Sequence, residues 1–483
     1  MTRALPALVA LAAFGCAVGP RYHRPATPLT PLFRGQDRAE AASFADLPWW
    51  EAFGDEPLSA LIREALANSY DLADAVARVD IARETFRGST DALLPAVGIQ
   101  GGPSYQQIFS GLSTSIPRTP GVNLPTGNPS FASYTAAATL SWEIDLWGRL
   151  RRLREAALAD FLASEDNRRG VIVSLIGEIA ADYFTLLSLD LQLEIAQRTV
   201  QSRQETLDLF AKREAGGVGD RLDTASEQAS LAAAAATIPD LERQIVAAEN
   251  RLAILVGRPP SPIRRTGQLM LRAPPPRQAA GAPTALLERR PDVRQAEARV
   301  ISANALVGAA FAQLFPQVNV SGSVGFASSS LPELFSAGAL TYGVSLLVGW
   351  IAPLLAGAAN AHRYRAQEAA WRAAVADYRR ALLVALAETS NALVTMEKLT
   401  LVRAQLELSV RARVESVELA KVRFNNGVAS YLDVEQAEQN LFPAEIQLAQ
   451  TVGSQFVAMT QLYRALGGGW QASEPQPRRD RSP

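Results

Sequence analysis

Four stretches of the chain alternate apolar and polar residues with a period of two. In 134–146, Tyr134, Ala136, Ala138, Leu140, Trp142, Ile144 and Leu146 share one face, and Thr135, Thr139, Ser141, Glu143 and Asp145 share the other. In 318–326, Val318, Val320, Val324 and Phe326 alternate with Asn319, Ser321 and Ser323. In 340–350, Leu340, Tyr342, Val344, Leu346, Val348 and Trp350 alternate with Thr341, Gly343, Ser345 and Gly349. A weaker copy in 97–105 sets Val97, Ile99 and Tyr105 against Gly98, Gln100 and Ser104. This alternation predicts strands. Their length, about ten residues, is that of a tilted strand crossing a bilayer, and aromatics near several ends suit an interfacial girdle. A soluble sheet with one buried face would show the same alternation, so both readings stay open on pattern alone. If the strands do cross a membrane, four are too few to close a pore, and open edges in lipid would leave backbone groups unpaired. Several chains would then have to share one barrel.

Between and after the strands the pattern changes. The segments following residues 148 and 361 are dense in Ala, Leu, Glu, Gln and Arg, which are strong helix formers. From His362 to Val422 there is neither Pro nor Gly, so one helix could run about 90 Å at 1.5 Å per residue. Leu382, Leu386, Leu393, Leu401 and Leu408 recur at mixed spacings of three and four, a seam of coiled-coil type that an ordinary helical bundle would also show. The sequence also repeats. AGGVGDRLDTASEQAS (215–230) lies over NNGVASYLDVEQAEQN (425–440) without gaps, and the register continues to place Leu252 on Leu462 and Gly257 on Gly467. LPAVGIQG (94–101) resembles FPQVNVSG (315–322). The predicted fold is therefore mainly α with transmembrane β: long helices plus four strands per chain, in two copies of one unit. The expected segments are a signal peptide (1–15), an N-terminal segment (16–55), a first repeat (56–272), a linker (273–288), a second repeat (289–470) and a polar, disordered tail (471–483). The Gly-, Pro-, Ser- and Thr-rich stretch 106–133 reads as an exposed loop.

The N-terminus adds a targeting signal. Arg3 precedes the apolar stretch from Ala4 to Phe14, which has signal-peptide length and is too short to span a bilayer. It ends in AAFGC, where a small residue before Cys16 resembles a lipobox; residue 17 is Ala rather than Asp. An ordinary cleaved signal followed by an incidental cysteine is the alternative. Cys16 is the single cysteine, so no disulfide forms within the chain, and with two histidines a His/Cys metal centre has too few ligands. A net charge of −1 argues against nucleic acid as a partner. No phosphate loop, nucleophile elbow or zinc helix is present, so no enzyme is expected and no catalytic residue is assigned.

Four motifs carry a family resemblance that covers nearly the whole mature chain: CAVGPRYHRP (16–25), PWWEAFGDEPLSALI (48–62), Asp145-Leu146-Trp147-Gly148-Arg149, and RRPDVRQAEARVISANALVGAAFAQLFPQVNVSGSVG (289–325). The chain resembles the TolC-like outer-membrane factors, in the lipoprotein branch of tripartite efflux systems. The resemblance implies a homotrimer whose chains share one barrel in the outer membrane and whose helices form a periplasmic α-barrel. It implies a periplasmic adaptor protein and an inner-membrane transporter, of the RND type, as partners. Small molecules would pass unchanged to the exterior, with no cofactor beyond a covalent lipid on Cys16 that anchors the chain in outer-membrane lipid. The spacing R-x-x-x-G-V occurs at Arg213–Val218 and Arg423–Val428. In the family these turns are the tips that meet the adaptor, which assigns Gly217, Val218, Leu222, Gly427, Val428 and Leu432 to that contact. By matching position Asp433 and Phe424 are the periplasmic gate residues, Phe424 at the family's usual Tyr, and Gln436 stands where a second Asp can occur. A protein-secretion duct and a structural coiled-coil lipoprotein are the rival readings.

Overall fold

The computed structural model describes residues 17–27, 30–34, 54–107, 130–265, 283–349 and 357–468. Two helices, α1 (Glu56–Asn68) and α2 (Tyr70–Asp91), lead into strands β1 (Ala96–Gln107) and β2 (Ser130–Ile144). Helices α3 (Arg149–Ala215) and α4 (Arg221–Val256) follow. A short helix α5 (Leu286–Arg289) precedes α6 (Pro291–Ala312), strands β3 (Gln317–Ser328) and β4 (Leu340–Gly349), and helices α7 (Gly357–Asn425) and α8 (Tyr431–Ala465). The order helix, strand, strand, long helix, helix thus occurs twice. The signal peptide, Cys16, the tail, Trp350 and most of the linker and of loop 106–133 lie outside the described residues.

The chain divides into two compact units. The first holds the sheet and residues 17–24, 81–95, 145–162, 298–316 and 357–376. Its four strands pair antiparallel in the order β1-β2-β3-β4. The register confirms the alternation residue by residue: Ile99, Ala138, Val324 and Tyr342 form one cross-strand row, and Val97, Leu140, Gly322 and Val344 the next. The face carrying these rows is uncovered, with Ile99, Val324, Tyr342 and Val344 exposed. The opposite face carries Thr139, Ser141, Ser321 and Ser323, and the Ser321 and Ser345 hydroxyls share a hydrogen bond of 2.7 Å. The outer edges of β1 and β4 have no strand neighbour among the described residues.

One expected strand is corrected. β2 stops at Ile144, not at Leu146, because Asp145 is used otherwise. Its Oδ1 accepts from the Leu150 amide (3.1 Å) and its Oδ2 from the Arg151 amide (2.9 Å), capping the first turn of α3. Trp147 donates to the Pro316 carbonyl (2.8 Å) and stacks on Phe315 at 4.8 Å. Gly148 has φ +79°, and a Cβ there would come within 2.6 Å of Ala17 Cα. Three contacts bind residues 17–20 to this junction. Val18 donates its amide to Trp147 (3.0 Å), Arg152 donates to the Val18 carbonyl (3.4 Å), and Asn304 donates to the Pro20 carbonyl (3.2 Å). The residues that follow Cys16 are therefore a strap held at the strand-to-helix junction. Gly148→Ala should release it, since a left-handed alanine alone costs about 1–2 kcal/mol, a factor of roughly 5–30 in the open population. Trypsin should then cut after Arg21 that much faster; an unchanged rate would show that Gly148 does not hold the strap.

The second unit is helical. Tyr183, Phe184, Ile176, Leu252 and Phe456 are fully buried in its core, and Phe184 stacks on Phe456 at 4.9 Å. Burying each such side chain contributes about 1.5–3 kcal/mol. Asp55 caps α1 by accepting from the Leu58 amide, and Tyr183 donates to the same carboxylate (3.0 Å). The most apolar stretch of α3 has a mean hydropathy of 1.6, but 61% of it is buried within the protein, which identifies a core helix. At the end of the expected linker, Pro283–Ala285 form a 3-10 turn and Leu286 of α5 is buried. Arg290 follows, donating to the Ala465 carbonyl (2.9 Å) and pairing with Asp292 and Glu388.

Candidate functional site

The two R-x-x-x-G-V segments are helix-to-helix turns with one geometry. At the end of α3, Gly217 donates to the Glu214 carbonyl (2.9 Å) and Val218 to the Arg213 carbonyl (3.0 Å). At the end of α7, Gly427 donates to Phe424 (2.9 Å) and Val428 to Arg423 (3.0 Å). This is the Schellman closure, which satisfies orphan carbonyls and needs a left-handed residue at its centre. Gly217 and Gly427 supply it, with φ +72° and +71°. The Arg-to-Val spacing is thus the spacing of the long bond that closes each turn. Asp220 then caps α4, its carboxylate accepting from the Leu222 amide at 2.9 Å.

The turns expose apolar side chains. Val218 is 73% accessible, Leu222 72%, Val428 66% and Leu432 56%. All four belong to the positions assigned from sequence, and none is used by the core of its own chain. Asp433 is also exposed, in the first turn of α8, where a carboxylate favours the helix dipole. Glu435, two residues on, faces the other way: it is buried, and its Oε1 accepts from Ser226 (2.9 Å), Ser230 (3.2 Å) and Gln439 (2.9 Å). Phe424 is half-buried. It meets Tyr431 edge-on at 5.5 Å and Phe210 at 6.5 Å, and the Arg213 guanidinium lies 5.7 Å from its ring centre. An arginine of the first turn therefore reaches the aromatic residue of the second.

Behind the turns lies a cluster that belongs to neither R-x-x-x-G-V segment. Glu227 is 0% and Arg203 4% accessible, yet their closest approach is 3.6 Å, and neither Glu227 Oε1 nor Arg203 Nη1 has a hydrogen-bond partner. The Tyr431 hydroxyl donates to the other carboxylate oxygen at 2.8 Å. Burial raises the Glu227 carboxyl above its usual range, against the pull of Tyr431 and Arg203. Sequence signals for it existed. Glu227, Ala234, Leu241 and Ala248 are spaced by seven along α4 and all face inward. No group of His, Cys, Asp and Glu among the described residues is arranged to hold a metal ion.

A four-stranded sheet with a bare apolar face and two helices of 67 and 69 residues fit an outer-membrane channel. Comparison with known proteins agrees. The family model described as outer membrane efflux protein matches residues 61–258 and 282–468, and the chain belongs to that family. The pyoverdine export outer membrane protein OpmQ of Pseudomonas putida is 32% identical over 90% of this chain and 91% of its own length. The solved outer-membrane channel OprN superposes with a TM-score of 0.85 at 30% identity, over 94% of this chain and 100% of that one. The open state of the Neisseria gonorrhoeae MtrE outer membrane channel gives 0.80 at 29% identity, over 94% and 99% of the two chains. The protein is an outer-membrane efflux channel with a large periplasmic part.

Proposed function

We propose that three copies of this chain form the exit duct of a tripartite pump. Twelve strands, four from each copy, close one barrel in the outer membrane, and the long helices line the periplasmic conduit. The observation that carries this reading is the sheet. It has one bare apolar face, one hydroxyl-rich face and two edges unpaired among the described residues, which a single chain in lipid could not tolerate. Neighbouring copies supply the missing edge partners, and the hydroxyl-rich face lines the lumen. The recurring element order and matched turns favour descent of the two halves from one unit. Cys16 carries the lipid, one residue before the strap that holds Ala17 at the strand-to-helix junction. Gly217, Val218, Leu222, Gly427, Val428 and Leu432 meet the adaptor, which joins the duct to an RND-type inner-membrane transporter, and small molecules pass unchanged.

Asp433 forms the gate: a threefold axis turns one exposed carboxylate into a ring of three, which attracts cations. Phe424 belongs to the same gate and holds the second turn through its contacts with Tyr431, Phe210 and Arg213. Conductance in planar bilayers tests the reading. The wild-type protein should give a small, cation-selective current, and Asp433→Ala a larger, less selective one. An open pore unchanged by the substitution would remove Asp433 from the gate. Silence from both variants, inserted as trimers, would overturn the duct.

A further inference from the structure

We propose that Glu227 is a proton-operated latch that joins α3, α4 and α8 behind the two turns, tightening the closed end of the channel when it takes up a proton and loosening it when it gives one up. The inference rests on the reading that these turns are the end of the duct that opens.

The geometry sets Glu227 apart from the other carboxylates of the region. It is fully buried and sits on the inward seam of α4, between Arg203 on α3 and Tyr431 at the start of α8. Buried carboxylates normally meet a cation in direct hydrogen-bonded contact, because an incompletely paired buried charge costs several kcal/mol. Here the guanidinium stops at 3.6 Å and one oxygen is left without a donor. The charged form is thus held poorly, whereas a protonated carboxyl would need no counter-charge. Other charges nearby act in the same sense. Glu435 and Glu438 on α8 both disfavour a second negative charge, although Glu438 is partly neutralised by Lys421 of α7 at 2.7 Å. Burial is the largest influence, and the net displacement of Glu227 is upward.

The sign of the effect follows. Opening would let water reach Glu227 and return its carboxyl toward the ordinary range. The closed packing therefore binds the proton more tightly than the open one, is favoured as pH falls through the raised value, and loses that advantage as pH rises through it. Tyr431 transmits the change. It is the first residue of α8, packs on Phe210 at 4.2 Å and on Phe424, and stands two positions before Asp433. A shift of Tyr431 moves the second turn and the exposed carboxylate with it.

The test is single-channel recording of the full-length protein in planar bilayers, with the pH varied on the periplasmic side. Wild type should close as the pH is lowered, with a midpoint above that of an ordinary glutamate. Glu227→Gln, a permanent neutral mimic, should lose this step and stay closed at every pH. Tyr431→Phe removes a hydrogen bond that favours the charged form, so its midpoint should move upward. Persistence of the full step in Glu227→Gln would overturn the latch, as would a midpoint in Tyr431→Phe that stays in place or moves downward. Absence of any current from the wild type would instead count against the duct itself.

Discussion

A chain carrying Val428→Asp and Leu432→Asp should insert, trimerise and conduct in bilayers, yet fail to support efflux in cells. Both side chains are largely exposed and stand outside the core of their own protomer, so the fold should tolerate the change. The use proposed for them is contact with the adaptor, and Val218 and Leu222 repeat the same display on the first turn. Burying an unpaired carboxylate where an apolar side chain had been buried costs at least 2–4 kcal/mol at an interface hot spot, roughly 30- to 1,000-fold in affinity. Substrate accumulation in cells lacking other exit ducts measures the result, and cross-linking to the adaptor localises it. Val246→Asp is the control. Val246 is also exposed on α4, but it lies on the helix well beyond the turn. Efflux at wild-type level in the double variant would separate the turns from docking and leave them as helix connections only.

The turns were legible in sequence because their geometry depends on few residues. A glycine in a left-handed conformation and a fixed spacing to the closing carbonyl are both visible as letters, and both recur 210 positions apart at Gly217 and Gly427. The strands were legible for a similar reason. Alternation is local, and the cross-strand rows follow it with few exceptions, such as Leu347 in the row of Asn319. What could not be read was anything decided by distant partners. Asp145 continues the strand alternation yet leaves the strand, because its carboxylate is taken by the amides of α3. Composition gives no sign that Leu286, at the end of the expected linker, is buried. Phe424 matches a gate position by alignment, while its neighbours Phe210 and Arg213 come from the other half of the chain. Glu227 is the most instructive omission. Its spacing from Ala234 and Leu241 marks an inward position, but only the structure shows that Arg203 arrives there and stops short of contact.

Phe456→Ala should lower the stability of the helical unit by about 3–5 kcal/mol, the usual cost of removing a buried aromatic ring and leaving its cavity. The ring is 1% accessible and stacks on Phe184, which in turn meets Tyr183 edge-on at 5.9 Å. Tyr183 is committed by its hydroxyl to Asp55, the cap of α1, so the aromatic row cannot slide to fill the gap without breaking that bond. The loss should therefore fall near the upper end of the range, and Phe456→Leu, which fills much of the volume, should lose substantially less. Leu222→Ala, on an exposed turn, should change stability by less than about 0.5 kcal/mol. The temperature at which trimers dissociate on a denaturing gel ranks the three variants, with urea unfolding as an independent scale. The contrast carries the physical argument about this chain. Apolar residues of the same kind should matter to folding in the seam of α8 and be dispensable to it at the turns, where the role proposed for them is docking. Equal dissociation temperatures for Phe456→Ala and wild type would mean that the aromatic row is not the core of the helical unit.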